Sequence, residues 1–182
     1  SGRCLGGVIC GTREFIRKVA EPYLKHTGAA MSPFNAWVML KGLETLDLRV
    51  RAQAANAQMI AEALQGANGV ARVLFPGLPD HPQHALALRQ MDGGGGTVVT
   101  FDVAGGKEAA FTLMNALQVV DISNNLGDAK SLTTHPATTT HRRLDPAARA
   151  AVGITDGLAE SDEDPVKQAL RELAFPIHFG RR

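Results

Sequence analysis

The segment SNNLGDAKSLTTHPATTTH, residues 123–141, concentrates Thr, Asn, His and Pro between an apolar run ending at Ile122 and the Asp145-Pro146 pair. Side chains of these types favour turns and bonds to their own backbone, so regular structure is hard to assign after Asn124. His135 and His141 bracket HPATTTH, but their spacing fits no helical or finger pair and no Cys or Glu set lies nearby. A metal needs two or three ligands converging in fixed geometry, so structural histidines bonded to backbone are the better reading and no metal site is expected.

Upstream of this segment, short elements alternate. Val70 to Phe75 reads as a strand, His81 to Met91 as a helix, Thr97 to Val103 as a strand, Lys107 to about Leu117 as a helix and Val119 to Ile122 as a strand. Alternation at this length predicts a small α/β layer domain. Before the Gly66 to Gly69 turn the chain is mostly helical: Thr12 caps a helix bearing Phe15, Ile16 and Val19 that ends near Gly28, and Ser32-Pro33 opens a second. Apolar residues recur there at Trp37, Leu40, Leu43, Met59, Ile60 and Leu64, with a bend near Leu46-Asp47-Leu48. Leu5 to Cys10 has the short apolar run of a buried strand closed by Gly11. Downstream, Asp145-Pro146 opens a short helix and Asp164 to Ala174 reads as a last one.

With 182 residues and 45% hydrophobic content the chain can bury a core of ordinary domain size. The 19 basic and 18 acidic residues leave a net charge of +1, which supplies no large field for nucleic acid or an anionic membrane. No apolar stretch approaches the ~18 residues of a membrane span. Cys4 and Cys10, both within an apolar run, read as buried free thiols, and a cytoplasmic location follows. The chain enters its first expected strand almost at once, without an initiator methionine, and is read as a fragment of something longer.

Three motifs invite a function and are set aside. Gly93 to Gly96 could cradle a phosphate, but they follow a helix and lead into a strand, the reverse of a phosphate loop, and read as a flexible turn. His81 and His84 share one face of their expected helix, yet two histidines alone make a weak site. No Ser lies in a G-x-S-x-G elbow, so a hydrolytic triad is not supported.

Five blocks together carry a resemblance. GRCLGGVICG, TGAAMSPFNAWVMLKGLETLDLRV from Thr27, FPGLPDHPQHALALRQM from Phe75, SNNLGDAKSLTTHPATTTH, and GITDGL from Gly153 to Leu158 occur in order. They resemble the transsulfuration family, the pyridoxal-phosphate (PLP) enzymes that make and break cystathionine, homocysteine and related thioethers. SPFNAW, NALQVVDISNNLGDAKS and HPATTTH look most like the branch that exchanges the succinate of O-succinylhomoserine for sulfide.

The resemblance implies an α/β fold: the C-terminal part of a fold-type-I PLP-dependent transferase. Residues 1–58 would be the end of the PLP-binding large domain, and residues 59–182 the small C-terminal domain, with a divergent tail from about 159. It implies PLP as cofactor, an amino-acid substrate and sulfide as reactants, and a homodimer or homotetramer. The Schiff-base lysine of the family lies upstream of Ser1, and none of Lys18, Lys25, Lys41, Lys107, Lys130 or Lys167 falls in the matching context. No catalytic or cofactor-binding residue is therefore nominated.

What the resemblance leaves in this chain is part of a carboxylate site. The family holds the substrate α-carboxylate with an arginine on a strand after GITDGL, helped by a polar group at the position that here is Asn125. A carboxamide can donate to a carboxylate, although Asn124 and Asn125 could equally form a plain turn. Aligned without a gap, Glu160 stands at the arginine position; a deleted strand is the alternative. A glutamate there would repel the substrate.

Overall fold

The computed structural model describes residues 4, 6–28, 30–125 and 129–162. The chain divides into two compact units, one ending at Asp47 and the other opening at Leu48.

In the first unit, local capping sets the helix ends. The Thr12 hydroxyl accepts from the Phe15 N–H at 3.2 Å and starts α1 (Arg13–Phe15). A π-helical turn, Ile16–Ala20, leads into α2 (Glu21–Thr27), which ends on Gly28 at φ 72°. Left-handed backbone at this position suits glycine, which has no Cβ to clash. Ser32 caps α3 (Pro33–Leu43) through the Asn35 N–H, with Pro33 at the first helical position. Exposed pairs Lys18–Glu14 and Arg17–Glu21 lie one turn apart and contribute only ~0.3–0.5 kcal/mol each.

Two expectations fail in this unit. The described residues of the Leu5–Cys10 run form no strand, and Val8 is 80% exposed. A strand must hand its N–H and C=O groups to a neighbour, and the described part of this unit offers none. Cys4 and Cys10 are free thiols, as expected, but Cys10 is exposed and Cys4 only half-buried. The apolar helical positions also face outward: Tyr23, Phe34, Trp37, Leu40 and Leu43 are all more than half exposed.

The second unit is built around α4 (Leu46–Leu64), which starts after a break at Glu44-Thr45, slightly earlier than the expected bend. Ala57, Ile60, Ala61 and Leu64 recur at helical spacing and are buried against a sheet. That sheet holds β1 (Val70–Leu74), β2 (Val98–Val103), β3 (Asp121–Ile122), β4 (Leu132–Thr134) and β5 (Leu158–Asp162) in the order β1-β2-β5-β4-β3. Every pairing is antiparallel except β3 with β4. Val99 and Phe101 alternate along β2 and meet Phe75, Leu78 and Ala159 in one core with α4. The helices α5 (His84–Gln90), α6 (Gly106–Ala116) and α7 (Pro146–Ala151) link the strands. Asp145 caps α7 by accepting from the Ala148 N–H at 2.9 Å.

Glycines admit close approaches in this unit. Gly95 is buried, and a Cβ there would collide with the Gly77 backbone and the Phe75 ring. The tetraglycine is thus a turn, as expected, but a packed one rather than a flexible one. Gly93 and Gly96 take φ 81° and 89° around it. No helix among the described residues is long and apolar enough to cross a membrane. The helix expected at Asp164 to Ala174 lies outside the described residues.

Candidate functional site

The loop after β4 is held from inside by His135, which is only 2% exposed. Its Nε2 lies 2.9 Å from the Asp156 carbonyl oxygen and its Nδ1 lies 3.0 Å from the Thr138 hydroxyl. A carbonyl can only accept, so Nε2 carries a proton and donates to Asp156. The edge of the ring meets Phe111 of α6 at 5.1 Å. Both ring nitrogens are thus engaged by a backbone carbonyl and a hydroxyl, and among the described residues no three His, Cys, Asp or Glu side chains gather. His141 stays near the surface, with Nδ1 2.8 Å from the Thr140 hydroxyl.

Threonines finish the loop. Thr139 donates to the His135 carbonyl at 2.8 Å and its hydroxyl also meets that of Thr134 at 3.0 Å. Backbone bonds from the N–H groups of Thr138, Thr139, His141 and Leu144 wind residues 135–144 into consecutive turns. The effect is to place Arg142 and Arg143 beside the end of β3.

Between these elements lies a cleft of about 590 Å³ lined by Ile122, Ser123, Asn124, Thr134, Thr138, Thr139, Thr140, Arg142 and Arg143. Its lining is polar, with two guanidinium groups and, among the described residues, no carboxylate. Two described acids near it are engaged elsewhere: Asp121 pairs with Lys130 at 2.9 Å, and Asp145 caps α7. Asn124 lines the cleft, whereas Asn125 does not; Asn125 is exposed and its N–H donates to the Ser123 hydroxyl at 3.3 Å. The turn proposed as the plain alternative at Asn124-Asn125 therefore exists.

β5 follows GITDGL without interruption, and Glu160 sits at its midpoint, opposite Thr100 on one side and Thr134 on the other. The strand expected after GITDGL is in place, and Glu160 lies on it.

The described residues do not fit a self-contained PLP site. PLP attaches covalently through a lysine amine. Lys18, Lys41 and Lys130 are tied to Glu14, Glu44 and Asp121 in exposed ion pairs, and Lys107 lies over the Phe111 ring at 5.4 Å. Lys25 is exposed on α2, and no lysine lines the cleft. Lys167 lies outside the described residues.

Of the other histidines singled out from sequence, His81 precedes α5 rather than opening it, and its Nδ1 accepts from the Gln83 N–H. It is followed by Pro82, whose ring disfavours helical backbone at the preceding residue. His84 sets a ring nitrogen 2.9 Å from the Pro76 carbonyl oxygen, so the pair forms no shared site. Sequence reading missed Arg142 and Arg143; two adjacent arginines in a loop look like solvated charges unless the loop's path is known.

Known proteins place the chain. Residues 1–160 match the family described as Cys/Met metabolism PLP-dependent enzyme. An O-succinylhomoserine sulfhydrylase of Mycobacterium tuberculosis is 57% identical over 163 residues, covering 86% of this chain and 39% of that enzyme. A second, from Pseudomonas aeruginosa, is 50% identical over 157 residues, covering 86% of this chain and 38% of its own length. Among solved structures, cystathionine gamma synthase from Xanthomonas oryzae pv. oryzae, in complex with aminoacrylate and cysteine, superposes with a TM-score of 0.82 at 38% identity. That superposition covers 89% of this chain and 42% of the synthase. The chain thus spans about two fifths of the length of the relatives it matches, and α/β architecture of the fold-type-I kind is shared with them. With its matched stretch running from the first residue to the middle of β5, the chain belongs to the Cys/Met metabolism PLP-dependent enzyme family.

Proposed function

We infer that the chain is the C-terminal portion of a PLP-dependent sulfhydrylase that converts O-succinylhomoserine and sulfide to homocysteine and succinate. The 57% identity to a sulfhydrylase acting on that substrate carries the reading. On it, residues 1–58 close the large domain and residues 59–182 form the small domain, and Asn125 helps hold the substrate carboxylate. The lysine that anchors PLP belongs to the part of the relatives' length that this chain does not span. The protein works in the cytoplasm as a homodimer or homotetramer, and the exposed apolar helices of the first unit are the surface such association would cover.

The test joins this chain to the missing N-terminal part of a relative and offers sulfide or cysteine as acceptor with O-succinylhomoserine. Homocysteine from sulfide supports the assignment; cystathionine from cysteine with none from sulfide moves it to a cystathionine synthase. Mixed with PLP alone and treated with borohydride, the 182-residue chain should show no PLP fixed to a lysine.

A second reading rests on Glu160 standing where the family has its carboxylate-binding arginine. On it the chain folds and associates with sister subunits without catalysing. Loss of a partner from a buried charged pair costs about 2–5 kcal/mol, roughly 30-fold or more in affinity. An assembled protein that binds PLP yet releases neither succinate nor homocysteine would favour this reading.

A further inference from the structure

We propose that the cleft between the β3 end and the 135–144 loop is a carboxylate-binding subsite whose charge comes from Arg142 and Arg143. Among the described residues the lining carries two positive charges and no negative one, and neither guanidinium has a side-chain or carbonyl partner there. Both arginines are exposed, and of the described acids near them Asp121 and Asp145 are held by Lys130 and by the first turn of α7. An arginine fork with no internal carboxylate is complementary to an external one.

The rest of the wall is already organised. The hydroxyls of Thr138, Thr139 and Thr140 are bonded to His135 and His141, and that of Ser123 accepts from the Asn125 N–H. These bonds fix the loop that presents the arginines and leave the Asn124 carboxamide as a third donor facing the same space. A ligand therefore meets donors whose supporting loop is set before it arrives, which lowers the ordering cost of binding. The volume, about 590 Å³, suits a small acid rather than a macromolecule.

The chemistry recognised is a carboxylate on a small acid. This extends the sulfhydrylase reading, and rests on it only for the acid's source: the acyl tail of the substrate, which ends in a carboxylate, or the α-carboxylate of its amino-acid end.

The decisive experiment needs no turnover, so its outcome is separate from that of the sulfhydrylase assay. The 182-residue chain, labelled with ¹⁵N, is titrated at constant ionic strength with succinate, glycine, and the uncharged diamide of succinate. Succinate should shift the amides of Ser123, Asn124 and Thr138 to Arg143 saturably, and the diamide should not. Shifts with succinate alone assign the acyl tail; equal shifts with glycine assign the α-carboxylate. The R142Q/R143Q variant should weaken binding about tenfold or more while its remaining spectrum stays native, because both charge-assisted bonds to the carboxylate are lost. The charge-conserving R142K/R143K variant should bind more tightly than R142Q/R143Q. Succinate shifts no larger than those from chloride, equal shifts from the diamide, or unchanged affinity in R142Q/R143Q would overturn the proposal.

Discussion

Replacing His135 separates packing from hydrogen bonding at the residue that anchors the 135–144 loop. The ring is 2% exposed, meets Phe111 edge-on, and bonds Asp156 and Thr138 at 2.9 and 3.0 Å. His135→Phe keeps a ring of similar size but removes both bonds. Each bond is part-buried, so the lower half of the usual range applies and the loss should be about 2 kcal/mol in total. His135→Ala also opens a cavity the size of the ring, adding about 2 kcal/mol more. With a urea slope of about 2 kcal/mol/M, the midpoints should fall by roughly 1 M and 2 M. Urea unfolding followed by circular dichroism measures both. A His135→Phe midpoint within roughly 0.25 M of the parent would show that the bonds add no net stability and would refute the anchoring account. Neither a chelator nor added Zn²⁺ should move the parent midpoint; a rise with Zn²⁺ would return His135 to the ligand reading rejected here.

Other perturbations test the packing. Gly95→Ala puts a methyl against the Gly77 backbone and should cost about 2 kcal/mol or more by the same urea assay, whereas Gly94→Ala should cost clearly less. Leu64→Ala empties a site 2% exposed at the centre of the α4 core and should cost about 2–4 kcal/mol. Asp102→Asn weakens a carboxylate that pairs with Arg72 and accepts from Thr155 at the end of β2; about 1 kcal/mol is expected, since Arg72 is partly exposed. Trp37→Ser with Leu40→Ser should leave the far-ultraviolet spectrum unchanged and reduce self-association in sedimentation velocity, because both side chains are exposed on α3.

What was legible in the sequence was what is decided within a few residues. Thr12, Ser32 and Asp145 cap helices by reaching an N–H three positions on, and Gly28 ends α2 with its own backbone freedom. The alternation of Val99 and Phe101 likewise announces β2. Long-range decisions were not legible. β4 reads as polar loop because two of its three residues are threonine; pairing with β3 and β5 buries it. β5 hid for the opposite reason, since AESD looks like the start of an acidic tail until β2 and β4 supply ladders on both sides. The packing of Gly95 depends on Gly77, and the strand expected over Leu5–Cys10 on neighbours that the described part of its unit does not offer.

The site divides along the same line. Family blocks pointed to the SNNLG corner, and the cleft does begin there, but at Asn124 rather than Asn125. Its charge comes from further along the loop, where HPATTTH coils back on His135 and sets Arg142 and Arg143 against the strand end. The sequence places these arginines directly after the fourth family block, which ends at His141, and β5 places Glu160 opposite Thr134, a residue of the cleft wall. On the proposed reading, the glutamate at residue 160 and the two arginines on the adjoining loop are related by charge. Restoring the family residue tests that relation: in a protein completed with its N-terminal part, Glu160→Arg should raise affinity for the acyl-homoserine, and should make R142Q/R143Q less damaging than it is with Glu160 in place. Equal damage in both backgrounds would show that the two positions bind different groups and that the loop arginines do not stand in for the missing one.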